Sequence, residues 1–436
     1  MLLKLTFNSL YARLLTVGMT VFAISLSLML YMSVEKLRTS AYTSFTDTIS
    51  QTDLIVGART SSVQLLLYSV FRIGNATNNI TWESYEDVIN KKEVAWSVPI
   101  SLGDSHKGFR VMGTNSEFFK RYKFRGGQSI ELEQGKNLDD LYDVIIGAGV
   151  AEKLNYSVGT PLIVSHGLQS FSDHDDQPFK VSGILAKTGT PVDNTVIVSL
   201  EAIEAIHVDW STGAKIPGQI TPVEEIRQMD LSPKNITAAL IGVNSKLQIF
   251  QLQRWINEYP EESLSSILPG VALQELWRIV GVVENLLLGI SVTVIFTTLI
   301  GMTAIIFSSL NERRREMAIW RAMGASPKVV IGLLMLEAFI ISVMSIIVST
   351  VMLFLTLYVL QPWIDNTYGI LVNIEMLAVK DIYIFMLFII AASLVSLIPA
   401  IRAYWFSIND GMTCLLYTSD AADERSSVDL GGRRII

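Results

Sequence analysis

The chain has 436 residues, of which 50% are apolar and 17% are charged, and its mean hydropathy is +0.41. This composition is too hydrophobic for an ordinary soluble protein and predicts segments that lie in a bilayer. The net charge of −7 provides no broad basic surface, which argues against nucleic acid as a partner. Because Cys414 is the single cysteine, no disulfide can stabilise the large region before it.

Four apolar runs are long enough to cross a hydrocarbon core about 30 Å thick. They predict transmembrane helices at 14–34, 285–310, 329–360 and 382–401. The first run follows Lys4 and Arg13, so a cleaved signal peptide is an alternative for it. Its length and the lack of a small-residue cleavage site favour an uncleaved anchor. The sequence therefore predicts one span near the N-terminus and three in the last third.

Positive residues beside these spans set the orientation in the membrane. They are Lys4, Arg13, Arg313, Arg314, Arg315, Arg321, Lys328 and Arg402. The positive-inside rule places them in the cytoplasm, with the N-terminal residues 1–13, the segment 311–328 and the tail 402–436. The segment 35–284 and the short loop 361–381 then lie outside. Lipid is the expected surrounding of the spans.

The third run is longer than a bilayer requires and contains Glu337. A carboxylate in such a run is expected near the interface or in a contact with another part of the protein. We predict a structural role for Glu337 rather than a role in proton transport.

Between the first two spans, short strand-like and helix-like pieces alternate, which predicts a large mixed α/β external domain. The predicted strands are 53–56, 109–112, 143–146, 161–165, 179–185, 195–199 and 236–243. Helices are predicted at 82–90 and 247–259. The polar flanks 35–52 and 268–284 would form a stalk if they continued the first and second spans as helices, and a simple tether is the alternative.

Residues 311–325, which read NERRREMAIWRAMGA, follow the second span. This segment resembles the E-R-R-x-E-I-x-x-x-R-A-x-G-A signature of MacB/FtsX-like ABC transporter permeases. Residues 397–403, LIPAIRA, resemble the P-A-x-R-A ending of the same family. The one-plus-three order of spans is also similar. The resemblance extends over about residues 1–410.

The external domain carries its own part of the resemblance. Residues 147–154, GAGVAEKL, and 158–160, VGT, are similar to the MacB-like periplasmic core domain. The runs 52–59 and 188–193 look closest to permeases near the LolC/LolE lipoprotein-releasing type. The resemblance therefore implies a MacB-like core domain between the first and second spans, and it does not identify the cargo.

The resemblance implies a multi-pass protein of the bacterial inner membrane whose large domain is periplasmic or extracellular. It also implies a separate cytoplasmic ABC ATPase dimer that binds ATP and Mg²⁺, a second permease copy or paralogue, and a periplasmic partner. The sequence has no G-x-x-x-x-G-K-[ST] motif, so we expect no ATP hydrolysis by this chain alone. Release or export of an envelope substrate, such as lipoprotein or efflux cargo, is the predicted function. A regulatory scaffold that controls an external hydrolase or a sensor kinase is the alternative.

The segment 311–328 is the predicted contact with the ATPase. Its coupling residues are Glu312, Arg313, Arg314, Arg315, Glu316, Arg321 and Gly324. Met317, Trp320 and Met323 would form one apolar face against the membrane interface, which leaves arginines for a partner. Gly324 suits a helix end, and Pro327 suits the first turn of the next helix. A topology signal without a partner is the alternative.

A short external segment combines histidines with carboxylates. His166, Asp173, His174 and Asp175 are candidate ligands for Zn²⁺, although their spacing matches no recognised motif. A solvated acidic loop is the preferred interpretation. His106 and His207 are isolated in the sequence, and no nucleophile constellation indicates an enzyme.

The tail from Cys414 to Ile436 has no apolar period and does not resemble the family. We predict foreign or disordered sequence there and assign no function to Cys414.

Overall fold

The computed structural model describes residues 2–48, 51–124, 127–167, 177–211, 214–215, 221–312, 324, 326–368 and 379–429. The chain divides into two compact units. The membrane unit comprises Met1–Lys36, Glu284–Val359 and Ile374–Ile436. The external unit comprises Leu37–Val283 and Leu360–Asn373.

The helices of the described residues are α1 Leu2–Ala12, α2 Leu14–Thr48, α3 Ser62–Ser69, α4 Trp82–Ile89, α5 Glu117–Arg121, α6 Ala148–Leu154, α7 Leu200–Ile206, α8 Val223–Ile226, α9 Ile249–Asn257, α10 Pro269–Glu312, α11 Pro327–Tyr368 and α12 Val379–Asp429. Two 3-10 helices lie at Pro191–Asn194 and Lys246–Gln248. Side-chain oxygens cap several short helices. Ser61 Oγ accepts from Gln64 N, and Ser199 Oγ accepts from Ala202 N.

Within the described residues, four helices are long and apolar enough to cross a membrane. Their candidate spans are Leu14–Thr43, Pro269–Ser308, Lys328–Ile364 and Val379–Ala403. The large mixed domain lies between the first and second of them. This confirms the predicted fold class, with one span before the external domain and three after it.

Small polar side chains lie between the helices of the membrane unit. Ser25 Oγ donates to the carbonyl of Ser345 at 3.0 Å, which joins α2 to α11. Ser27 Oγ and Thr298 Oγ1 are 2.7 Å apart and join α2 to α10. Without water to compete, such hydroxyls and small residues let membrane helices pack closely. An apolar core that includes Leu28, fully buried, surrounds these contacts.

Helix α12 continues to Asp429. The expectation that residues 414–436 are foreign or disordered sequence stays a prediction. The segment contains the strong helix formers Ala421, Ala422, Glu424 and Arg425 and has no proline.

The strands are β1 Leu54–Ala58, β2 Ile80–Thr81, β3 Val94–His106, β4 Phe109–Thr114, β5 Lys123–Phe124, β6 Gln128–Ser129, β7 Leu132–Gly135, β8 Asp143–Ile146, β9 Pro161–Leu162, β10 Ser165–His166, β11 Phe179–Leu185, β12 Thr195–Ser199, β13 Trp210–Ser211, β14 Ala214–Lys215, β15 Asn235–Ile236, β16 Ala238–Val243 and β17 Leu264–Ile267.

Among the described residues, eleven of these strands form one mixed sheet in the order β17-β1-β16-β3-β4-β12-β8-β11-β7, with β10 beside β3 and β9 beside β11. The pairs β4–β12 and β8–β11 are parallel. Strand β8 is buried along its whole length, as expected for a strand covered on both faces. The sheet fixes the positions of the external residues discussed below.

The external unit also contains the outer ends of α2 and α10. Phe45 of α2 packs against Trp277 of α10 with ring centroids 5.7 Å apart, and against Phe71 at 4.4 Å. Tyr42 lies 5.4 Å from Trp277. Leu273 of α10 is buried in the same hydrophobic core. Aromatic contacts of this kind add to the stabilisation from buried area, so these helix ends are part of the external core.

Candidate functional site

The predicted coupling segment lies mainly outside the described residues. This applies to Arg313, Arg314, Arg315, Glu316 and Arg321. Glu312 is the last residue of α10, and α11 begins at Pro327. Gly324 has φ +90°, a left-handed conformation that glycine adopts without steric cost. The segment therefore joins the ends of two long membrane helices, and its assignment as an ATPase contact stays a prediction.

The helices that carry this segment are tied to the rest of the membrane unit by charged side chains. Arg13 Nη2 donates to Glu337 Oε1 at 2.9 Å, between the start of α2 and α11. The Arg402 guanidinium of α12 lies 4.3 Å from the ring centroid of Phe307 near the end of α10. These two contacts join α11 to the start of α2 and α10 to α12.

Two segments that carry the family resemblance meet in the external unit. The Cα of Gly147 approaches the turn at Pro191–Asn194 so closely that a Cβ there would lie 2.3 Å from the carbonyl oxygen of Val192. A Cβ on Gly149 would lie 2.7 Å from Asn194 Oδ1. Gly147 N also donates to Thr195 O at 3.0 Å. These glycines have a packing role.

Asp193 holds the turn that Gly147 contacts. Its buried carboxylate accepts from Thr188 N at 2.8 Å, Thr188 Oγ1 at 2.7 Å and Gly189 N at 2.7 Å. Bonds to a charged acceptor are stronger than neutral ones. The run 188–193 is therefore explained by a folded turn, without a ligand.

The histidine candidates divide between described and undescribed residues. Asp173, His174 and Asp175 lie outside the described residues. His166 is at the end of β10, where it pairs in register with Asp104 of β3. Its Nδ1 is 3.2 Å from Asp104 Oδ1 and 3.3 Å from His207 Nε2. His207, although isolated in the sequence, therefore lies beside His166 in the fold.

Asp104 reaches this cluster because β3 is irregular there. The β3–β4 register shifts between Leu102 and Ser105, and such bulges re-aim side chains. Asp104 is buried, and the nearest ionisable neighbour of its Oδ1 among the described residues is His166 Nδ1, at 3.2 Å. His207 Nε2 lies 3.8 Å from the same oxygen. Asp104, His166 and His207 are called the histidine cluster below.

The orientation of the His207 ring is set by the end of α7. Its Nδ1 is 2.7 Å from the carbonyl oxygen of Ile203. A carbonyl only accepts, so Nδ1 carries the proton, and Nε2 of the neutral ring presents a lone pair to the cluster. Ile203 is one turn before His207, where helical carbonyls have no intrahelical partner.

Charge and packing complete the cluster. The Asp104 carboxylate raises the pKa of His166 by hydrogen bonding and by charge, against the opposing effect of burial. The indole of Trp210 stacks on the His166 ring with centroids 5.5 Å apart. Neighbouring Asp209 is engaged elsewhere, since its carboxylate accepts from Thr221 N at 2.8 Å and from Thr221 Oγ1 at 2.6 Å.

Sequence reasoning missed Asp104 and His207 because the three side chains come from distant parts of the chain. A prediction would have required the β3–β10 register, and neither β3 nor its bulge was predicted. One feature of the sequence could have indicated the cluster. The chain has only four histidines, and two of them meet here.

Two family models together match most of the chain. Residues 14–261 match the family model described as the MacB-like periplasmic core domain. Residues 288–408 match the model described as FtsX-like permease C-terminal. The comparison with curated proteins returned no match.

Two solved structures are similar to the external part. The extracellular domain of the noncanonic ABC-type transporter YknZ from Gram-positive bacteria is 15% identical and matches 49% of this chain and 98% of its own, with a TM-score of 0.30. The periplasmic region of MacB from Actinobacillus actinomycetemcomitans is 11% identical and matches 53% of this chain and 97% of its own, with a TM-score of 0.32.

Proposed function

Because the chain belongs to the MacB/FtsX-like family of ABC transporter permeases, we propose that it transmits ATP-driven motion from a separate cytoplasmic ATPase to its external domain. The family match over residues 14–261 and 288–408 is the observation that carries this proposal. The proposed result of the motion is export or release of an envelope substrate, with lipoprotein and efflux cargo as the candidate classes. The proposed location is the bacterial inner membrane.

Two continuous helices support a mechanical route. Helix α2 begins in the membrane unit and ends in the external unit, and α10 runs in the reverse direction. In the membrane unit they are joined by Ser27 and Thr298. In the external unit they are joined by Phe45 and Trp277. A helix transmits displacement along its axis because each backbone hydrogen bond resists extension, so both helices are suited to this role.

The cytoplasmic end of the route is the segment 311–328. It follows α10 directly and precedes α11, so docking of an ATPase there would act on both helices. The arginine-rich composition is suited to acidic groups on a partner, since guanidinium groups form bidentate contacts with carboxylates. We therefore assign the ATPase contact to Arg313, Arg314 and Glu316 within this segment.

Replacing Arg313, Arg314 and Glu316 together with alanine tests this assignment. The triple variant should insert normally but lose co-purification with the ATPase and ATP-dependent function. A control with lysine at 313 and 314 retains the positive charge that sets topology and removes only the forked geometry of arginine. A correctly inserted triple variant that still binds and couples to its ATPase would contradict the assignment.

The cargo needs a separate experiment. Depletion of the chain should leave an envelope substrate in the membrane if transport or release is the function. Altered wall hydrolysis or a lost stress response with normal export would instead indicate the regulatory scaffold.

A further inference from the structure

We propose that the histidine cluster of the external unit binds a divalent transition metal, with Zn²⁺ as the ion that fits it best. The ligands are Asp104 Oδ1, His166 Nδ1 and His207 Nε2. The three atoms belong to one compact group of potential ligands. Two imidazoles and one carboxylate form a donor set that is common at zinc sites with a coordination position left open.

The distances within the cluster agree with tetrahedral coordination. Bonds of about 2.0–2.1 Å in a tetrahedron separate neighbouring ligand atoms by about 3.3–3.4 Å. The three separations here are 3.2, 3.3 and 3.8 Å. One edge, from Asp104 Oδ1 to His207 Nε2, would have to shorten by a few tenths of an ångström. The ligand atoms are thus already arranged for one ion between them.

The supporting contacts also fit a metal site. A metal-binding histidine commonly donates its other ring N–H to a carbonyl or carboxylate, which fixes the tautomer. His207 does this through the carbonyl of Ile203. Asp104 Oδ1 is buried and lies 3.2 Å from His166 Nδ1 and 3.8 Å from His207 Nε2. A buried carboxylate is stable only when a positive charge or hydrogen-bond donors pair with it, and a cation between these three atoms would supply that charge.

Access to the cluster comes from the two histidines. The side chains of His166 and His207 are 41% and 27% exposed, whereas that of Asp104 is 4% exposed. An ion can therefore enter from solvent and meet the buried carboxylate last. Because the ligands come from β3, β10 and the end of α7, bound metal would also hold these three elements together.

Calorimetric titration of the full chain in detergent, freed of metal by chelation, tests the site with Zn²⁺ alone as the probe. We expect one equivalent per chain and a higher unfolding temperature with the ion, since binding to the folded state stabilises it. Asp104→Asn and His207→Gln should each weaken Zn²⁺ binding by at least about tenfold. Loss of a residue that only supports a ligand already has an effect of this size, and these two residues are ligands themselves. Asp139→Asn, which removes an exposed carboxylate, is the matched control and should bind normally.

A second comparison separates this cluster from the neighbouring acidic segment. His174→Gln should still bind one equivalent of Zn²⁺ per chain. Loss of binding in His174→Gln with retention in Asp104→Asn would assign the ion to residues 168–176 and overturn the proposal. The proposal also fails if the wild-type protein binds no stoichiometric Zn²⁺. In that case a shared proton between histidine and carboxylate would be enough to hold the cluster together. Unfolding curves of the metal-free variants show whether each one is folded before titration.

Discussion

Arg13 Nη2 and Glu337 Oε1 lie 2.9 Å apart and join the start of the first membrane helix to the third. Glu337 is ten residues beyond Pro327, where α11 begins, a distance of roughly 15 Å along a helix. The contact therefore lies about three turns into α11. The carboxylate of the third run thus has a contact with another part of the protein, one of the two environments expected from the sequence.

Removing one member of this pair should destabilise the membrane unit. Glu337 is 4% exposed and Arg13 is 20% exposed, so Glu337→Ala leaves a poorly solvated guanidinium without its partner. We expect a loss of about 3–5 kcal/mol in the free energy of unfolding. Arg13→Met combined with Glu337→Leu should recover most of it, because no charge is then left unpaired. Denaturation in detergent gives the comparison, and a double variant as unstable as Glu337→Ala would contradict the structural role.

Gly147→Ala should destabilise the external unit by overpacking. The added methyl would lie 2.3 Å from Val192 O and 2.4 Å from Asp193 O, and backbone must move to relieve it. The expected cost is about 1–3 kcal/mol. Gly270→Ala is the matched control, since a methyl there meets nothing within 4 Å and alanine favours a helix. Thermal unfolding of both variants tests this prediction. Equal unfolding temperatures for Gly147→Ala and Gly270→Ala would show that the Gly147 contact is not tight.

Thiol labelling tests the orientation in the membrane. In a Cys414→Ser background, cysteines at Ser172 and Asn366 should react with an impermeant reagent added outside, whereas one at Ala325 should react only after permeabilisation. The reason is the excess of arginine and lysine between the second and third spans. If the cysteine at Ser172 were protected from the reagent in intact cells, the predicted topology would be contradicted.

Much of the fold could be predicted where a local pattern determines it. The strands 143–146, 179–185 and 195–199 were predicted with the bounds that the structure has, because each is a short apolar run between turn residues. Strand β3 was missed, since Pro99 and Gly103 interrupt its pattern. Strand β3 nevertheless pairs with β16 and β4 on either side. These partners are distant in the sequence, so the local pattern does not reveal them.

The histidine cluster could not be predicted for the same reason. His166 was a candidate on sequence grounds, but its neighbours in space depend on strand register and on the end of α7. The coupling segment shows the opposite case, in which a motif of 15 residues indicates a role through resemblance and charge. In the proposed function this segment contacts a partner, and the fold of one chain does not determine such contacts.

The most direct test of the mechanical account breaks the continuity of α10 at Val283, the last residue of the external unit before the chain returns to the membrane unit. Val283→Pro removes a backbone hydrogen bond within the helix and costs about 3 kcal/mol locally, whereas Val283→Ala preserves the helix. In a Cys414→Ser background, a spin label on Leu247→Cys, at a side chain 92% exposed in the external unit, reports motion in the complex with the co-purified ATPase. ATP should change the label's spectrum in wild type and Val283→Ala but not in Val283→Pro, while the ATPase stays bound to all three. An unchanged response to ATP in correctly inserted Val283→Pro would contradict transmission through this helix.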